Sequence, residues 1–326
     1  MSFIHLQVRS GYSLLSSTVK IEELVTRARE LQFSAVALTD ENVLYGVIPF
    51  YEACKAYGIK PIIGMIATVM NEHDDTDQLV LLAKNNRGYR QLVQIATIIQ
   101  MNGGKGISLS HLSGYTSELI GMTSGVHGRI EQHLLNGEIA RAEALAQMYT
   151  EIFQQGDFYI NVQQHGLPEQ AKLLPLLLEY SRRWNIPIVA TNDVRYIYKE
   201  DALACECLLA MKHGKKMNDP SRPRFSTNEY DLKSADEMIS LFSMYPLGLK
   251  AHTFGRHQAA RFQIASDDLY AVQCYQSFAR SSLNFSAQVN QILIIRVVQA
   301  HPSHIASHML SFVRFEEGRC PLTDVD

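Results

Sequence analysis

Five cysteines occur in 326 residues, at Cys54, Cys205, Cys207, Cys274 and Cys320, and no two form a C-x-x-C pair. The odd count and the spacing argue against a disulfide framework and a zinc knuckle. Cys205 and Cys207 lie two apart in a segment of helical pattern, so they point to different faces and read as buried thiols rather than ligands. Long hydrophobic runs are also missing: no stretch approaches the ~18 apolar residues that a membrane helix needs. No basic region followed by an apolar run opens the chain, so no signal peptide is expected and the cytoplasm is the default. Positive charge is not in excess, because 30 Lys and Arg face 33 Asp and Glu for a net charge of −3. Proteins that grip nucleic acid along their own surface carry a basic excess, so any DNA contact here is expected to be local. There is no P-loop, dinucleotide fingerprint, helix-turn-helix or G-x-S-x-G elbow. Ser10, Tyr12 and Ser13 are therefore read as turn hydroxyls that cap the following helix, not as nucleophiles.

Glutamate is absent between Glu237 and Glu316, and the segment from Leu247 to Asp326 holds one lysine, Lys250, against six arginines. Capping and turn signals there do not coincide with the helix-like stretches, whereas local and global signals agree in an evolved fold. Residues 247–326 thus form an atypical tail. Out-of-frame translation is one reading and a divergent linker is the other.

Up to about Pro246, strand-like and helix-like segments alternate. The strands are read at Phe3–Val8, Ala35–Leu38, Pro61–Val69, Leu79–Ala83, Leu119–Thr123, Asp157–Val162 and Pro187–Ala190. The helices are read at Lys20–Leu31, Gly46–Tyr57, Tyr89–Gln100, Arg129–Leu135, Glu138–Phe153, Pro168–Trp184, Lys199–Lys212 and Ser234–Phe242. Pro168 suits a first helical position, and Pro175 is expected to kink its helix. This alternation predicts an α/β protein with a mainly parallel sheet. Periodicity does not distinguish an open sheet from a barrel. The polar strand ends at Asp40 and Asp193 are where such folds place chemistry.

Several segments carry a family resemblance. They are Phe3–Leu15, Ala35–Asn42 with Tyr45-Gly46, Gly58–Gly64, Leu81–Asn85, Gln163–Leu167, Ile186–Val194, and Arg224-Phe225 with Tyr230–Ser234. In this order they resemble the PHP domain (polymerase and histidinol phosphatase) at the N-terminus of bacterial DNA polymerase III α subunits, in detail those of Gram-positive bacteria. The resemblance covers about residues 1–246. It implies a distorted (β/α)₇ PHP barrel over 1–200, then a helical extension over 201–246 that leads toward a polymerase core. It implies a palm, fingers and thumb downstream, with Mg²⁺ bound at that palm. The partners it implies are the palm and thumb, other replisome subunits and primer-template DNA, with no membrane. By itself this chain is not expected to polymerise DNA.

Hydrolytic members of the family hold two or three metal ions at the strand ends, which generate a hydroxide and clamp a phosphodiester. The resemblance puts the first two histidine ligands at Gln7 and Arg9, and an Asp-His pair at Asp40 and Glu41. A glutamate falls on Ile66, a histidine on Gln78, and a cysteine or histidine on about Gly125. The final Asn-Asp-x-His falls on Asn192-Asp193-Val194-Arg195. Arg9 and Arg195 repel cations and suit carboxylates. The expectation is that salt bridges among Arg9, Arg195, Asp40, Glu41 and Asp193 stand in place of metals, with no catalytic or metal-ligating residue and no cofactor in this fragment. A weak single-metal site at Asp40, Glu41 and Asp193 is the competing reading. The wider alternative is a metal-dependent PHP phosphoesterase or a proofreading 3′–5′ exonuclease.

By period-two alternation His5 shares a face with Gln7 and Arg9. It is read as a structural, hydrogen-bonded histidine, and His165 as a turn histidine. Lys212, Lys215, Lys216, Arg222 and Arg224 form a basic patch after the barrel. It is either a contact to the phosphate backbone or solvated loop charge.

Overall fold

The computed structural model describes residues 3–70, 76–154 and 156–243. The tail at 247–326, with both readings of it, lies outside the described residues.

The strands are β1 (Ala35–Glu41), β2 (Lys60–Met70), β3 (Thr76–Ala83), β4 (Ile107–Ser108), β5 (Leu119–Thr123), β6 (Phe158–Val162) and β7 (Ile188–Ala190). β5 and β6 are buried along their whole length, as continuous apolar runs between an inner core and a helical layer must be. The helices are α1 (Ile21–Glu30), α2 (Val47–Tyr57), α3 (Asn86–Met101), α4 (Leu109–Leu112), α5 (Arg129–Leu135), α6 (Ile139–Ile152), α7 (Pro168–Trp184), α8 (Ala202–Lys212) and α9 (Ala235–Phe242). In α1 the buried stripe is Leu24, Val25 and Ala28, with Glu22 and Glu23 in the first turn and Arg27 and Arg29 in the last, each sign where the helix dipole favours it. α2 stops at Gly58, whose φ of 69° is the left-handed cap that glycine adopts without strain. Helix α7 starts on Pro168 and continues through Pro175.

The sheet order is β1-β2-β3-β5-β6-β7, with β4 beside β2. Pairings β1–β2, β5–β6 and β6–β7 are parallel, but β3 runs antiparallel to both β2 and β5. Only residues 71–75 join β2 to β3. That is too short for the crossover a parallel pair requires, so the strand returns as a hairpin. Hence the ring departs from a regular β/α repeat at β3.

Closure comes from the first residues. Phe3–Val8 forms no regular strand, contrary to its alternating pattern, yet it fills the gap between β1 and the segment after β7. On one side the amides of Ala37 and Thr39 donate to the carbonyls of His5 and Val8 at 2.9 and 2.8 Å. On the other, Arg9 N donates to Val194 O at 3.0 Å and Val194 N to Gln7 O at 3.1 Å. Three residue steps, from His5 to Val8, thus face two on β1, from Ala37 to Thr39. This is a bulge, and it shifts the inward–outward alternation by one. Ile4 and Leu6 lie in the inner core with Ala37, Ile62, Ile66 and Val80, whereas Val8 packs outward with Val36, Leu38 and Leu24.

β1 runs on past the strand end expected at Leu38, because Thr39, Asp40 and Glu41 pair with Gly64, Met65 and Ile66 of β2. Ile66, where the resemblance places a glutamate ligand, is fully buried in the inner apolar core. Beyond β7, a bridge between Tyr196 and Asp231 lays the segment after α8 along the closing seam. No helix among the described residues is long and apolar enough to cross a membrane.

Candidate functional site

β1 ends in two successive carboxylates, and successive strand residues point to opposite faces. Asp40 continues the outward face of Val36 and Leu38, and Glu41 continues the inward face of Ala37. Asp40 therefore meets the turn that follows the N-terminal segment. Its Oδ1 accepts from Ser10 N and Ser13 Oγ, each at 2.7 Å, and its Oδ2 from Ser10 Oγ at 2.8 Å. The expectation that Asp40 pairs with the arginines is thus corrected, because hydroxyls and an amide hold it. So is the reading of Ser10 and Ser13 as helix caps: the N-cap of α1 is Lys20, without a side-chain cap bond. Burial raises the Asp40 pKa, and the bonds from Ser13 and Ser10 act against that rise.

Asp193 lies just past β7 and is buried. Its Oδ1 accepts from Gln7 Nε2 at 3.1 Å and Arg9 Nε at 2.9 Å. Its Oδ2 accepts from Arg195 Nε at 2.9 Å and Arg195 Nη2 at 2.8 Å. A carboxylate offers about four acceptor sites, and here each is taken. Burial opposes the charge, but Arg195 and Arg9 together outweigh it and hold the carboxyl well below the usual range.

Arg9 also links Asp193 to Glu41, with Nη1 at 3.2 Å from Glu41 Oε2. Glu41 Oε1 accepts from Gln78 Nε2 at 2.8 Å, and Lys212 Nζ lies 4.0 Å from Oε2. Burial works against the Glu41 charge; Arg9, Lys212 and Gln78 prevail and lower its pKa.

Behind these ions sits a layer of amides that the sequence reading passed over. Gln7 Oε1 accepts from Asn161 Nδ2 at 2.9 Å and Gln163 Nε2 at 3.0 Å, and Thr191 Oγ1 donates to Asn161 Oδ1 at 2.8 Å. Tyr159 of β6 faces the inner core. Asn161 and Gln163 follow it at intervals of two, so their polarity at inward positions was the available signal. Gly125, at the position the resemblance gives to a Cys or His ligand, has φ 94°. A Cβ there would stand 2.2 Å from Gln163 Oε1. Gln163 occupies the space a ligand side chain would use.

Among the described residues no histidine replaces the missing ligands: His5 and His165 make no hydrogen bond to the acids of the lock, although His165 and His127 lie within electrostatic reach of Asp193. The bulge turns His5 away from Gln7 and Arg9, which corrects the shared face expected for the three. Its Nε2 lies 2.8 Å from Lys233 O, and its ring packs edge-on against Phe3 and Phe33. His165 lies under Tyr230, with ring centroids 4.3 Å apart, and its Nδ1 is 2.9 Å from Gln170 Nε2. Burial lowers the pKa of each to about 4.

The basic patch is thinner than its sequence. Arg222 is buried, with Nη2 2.8 Å from Glu206 Oε2, which removes it as a surface contact. Lys215 lies 3.4 Å from Asp219, and Lys212 donates to Ser16 Oγ at 3.1 Å. Lys216 and Arg224 are exposed.

These residues do not fit a metal cluster. Guanidinium and amide donors occupy the acceptor sites of Asp193, and Asp40 points outward. Among the described residues, no group of three or more His, Cys, Asp and Glu is placed to hold a metal ion. The arrangement is chemically a buried, charge-paired lock across the barrel seam.

Residues 5–165 match the PHP domain family. The chain is 41% identical over 253 residues to DNA polymerase III subunit alpha of Bacillus subtilis, an alignment that covers 77% of this chain and 22% of that protein. With the same subunit of Treponema pallidum the identity is 38% over 259 residues, covering 76% and 22%. The chain therefore spans about a fifth of the length of these curated relatives. A putative metal-dependent phosphoesterase from Bifidobacterium adolescentis aligns with 74% of this chain and 95% of its own at 12% identity, with a TM-score of 0.38.

Proposed function

The chain belongs to the PHP domain family, and from that premise we propose that it is the PHP portion of a DNA polymerase III α subunit, acting as a scaffold and not as a hydrolase. One observation carries the scaffold reading: every acceptor site of Asp193 is engaged by Gln7, Arg9 and Arg195. Metal-assisted phosphoester hydrolysis needs open coordination positions beside anionic or imidazole ligands. Arginine at two ligand positions offers neither. The lock does what a bridging metal would do mechanically, because it ties β1, the N-terminal segment and the end of β7 together.

In this reading the barrel packs against the palm and thumb of the full-length subunit, in the cytoplasm, and other replisome subunits dock on it. Polymerisation belongs to the palm with its Mg²⁺. Exposed Lys216 and Arg224 are the candidates for contact with the phosphate backbone of primer-template DNA.

The competing reading is a metal-dependent phosphoesterase or 3′–5′ exonuclease. Purified chain is assayed for bound Zn, Mn and Fe, and for hydrolysis of a 3′-labelled single strand and an aryl phosphate with each metal added. The expected result is substoichiometric metal and no hydrolysis above buffer. Stoichiometric metal, or activity lost on Asp193→Ala, would overturn the scaffold reading.

A further inference from the structure

Arg195 makes a second set of contacts that pairing with Asp193 does not require. Its guanidinium carbon lies 5.2 Å from the ring centre of Phe225 and 5.5 Å from that of Tyr230. Both rings belong to residues 225–233, the segment between α8 and α9. This segment lies along the barrel seam. Arg195 N donates to Tyr230 O at 2.9 Å, Leu232 N to Tyr196 O at 3.1 Å, and Asn192 Nδ2 to Asp231 O at 2.7 Å. Its apolar support is divided: Tyr230 and Phe225 pack with Tyr196, Cys205 and Ala202, and Leu232 packs with Val8 and Val194. One side chain thus touches both the charge lock and the segment between α8 and α9.

We propose that Arg195 is a positioning residue that couples residues 225–233 to the charge on Asp193. Two N–H bonds to Asp193 Oδ2 fix the plane of the guanidinium. A fixed, partly desolvated plane is what an aromatic ring stacks on, whereas an unanchored arginine rotates and keeps its water. Asp193 touches neither ring, yet its charge sets the order of the segment. Such coupling is reciprocal, so loosening the segment must also loosen the seam at Val194. The inference rests on the scaffold reading, in which Asp193 is engaged by arginine and not by a metal.

Amide hydrogen exchange on the full chain tests it, since local opening shows there as faster exchange. Arg195→Ala and Asp193→Asn are each expected to speed exchange across 225–233 by about tenfold, the factor that ~1.4 kcal/mol of lost coupling produces, and to leave β2 and β3 unchanged. Arg195→Lys, which keeps the charge without the planar guanidinium, is expected to restore protection only in part. Phe225→Leu is expected to speed exchange at the Arg9 and Val194 amides. The coupling is overturned if Asp193→Asn leaves 225–233 at wild-type protection, or if all variants speed exchange evenly over β1 to β3. Should Asp193→Asn not fold, Phe225→Leu decides alone, and unchanged Arg9 and Val194 amides overturn the proposal. Chelator added to the wild type reads the scaffold question separately: exchange near Asp193 that responds to it overturns the scaffold reading, not the coupling itself.

Discussion

Arg9 sits between two acids, with Nε on Asp193 and Nη1 on Glu41, and only 6% of its side chain is exposed. Deleting one member of a buried charge network leaves its partners uncompensated, which costs about 3–5 kcal/mol. Asp193 keeps Arg195 in that event, and Glu41 keeps Gln78 and Lys212 nearby. Arg9→Met is therefore expected to lose about 3 kcal/mol, the low end of that range, read as a lower urea midpoint at unchanged slope. Arg9→Lys should fall between the two, because an ammonium keeps the charge but cannot bridge both acids along a planar fork. A loss below about 1 kcal/mol for Arg9→Met is the size of an exposed pair and would show that the lock is not the fastening described above. The charged members of this lock were legible as residues, since Arg9, Glu41, Asp193 and Arg195 stand at recognisable strand ends. Asp40 departs from the expected pairing because charge alone does not set the direction of a strand side chain. Two adjacent strand residues cannot face the same way, and that geometry sends Asp40 to Ser10 and Ser13.

At the scale of elements, apolar run length and cap residues made most strands and helices readable. Gly58 and the Pro168 start are examples, each with a backbone reason. Two features had no such signal. The direction of β3 depends on the short connection at 71–75 and not on its own residues, and the bulge at His5–Val8 depends on hydrogen bonding to β1. That bulge inverted the expected face of His5. A third feature, the crowding of β2, can be tested. Gly64 lies where β1 and β3 flank β2, and a Cβ there would stand 2.5 Å from Leu81 O and 2.9 Å from Thr39 Cγ2. Backbone on one side cannot give way as a side-chain tip could. Gly64→Ala is expected to cost about 1–3 kcal/mol through overpacking. Gly114, with nothing within 4 Å of its would-be Cβ, is the control, and Gly114→Ala should stay within about 0.5 kcal/mol. Thermal unfolding of both variants at one pH checks the contrast, and equal shifts would refute it.

For the whole molecule, buried titratable groups set a stability profile with opposing limbs. His5 and His165 are held neutral, with pKa values lowered from 6.5 to about 4 by burial. The unfolded chain protonates them below 6.5, so their contribution is present above that pH and is lost as pH falls toward 4. Glu131 is the reverse. It is fully buried, receives a hydrogen bond from Thr123, and burial raises its pKa from 4.5 to about 8. The folded state keeps that proton longer than the unfolded one, so stability falls as pH rises from 4.5 to 8. Each group contributes a slope of about 1.4 kcal/mol per pH unit inside its window. Between 4.5 and 6.5 His5, His165 and His127, whose pKa burial also lowers, outweigh Glu131 and stability climbs; from 6.5 to 8 the histidine contribution is complete and stability declines with Glu131. Asp40 and Asp77, both raised by burial, flatten the acid limb. Asp193 and Glu41, both lowered, weaken only as pH falls below their unshifted values of 3.8 and 4.5. The melting temperature is therefore expected to peak near pH 6.5, where the histidine window closes and the Glu131 slope remains. Glu131→Gln has no proton to lose, so its melting temperature should hold level from that peak to pH 8. Melting curves of both proteins across this range decide it, because a wild-type curve as flat as that of Glu131→Gln would mean that Glu131 ionises without cost and is not buried as described.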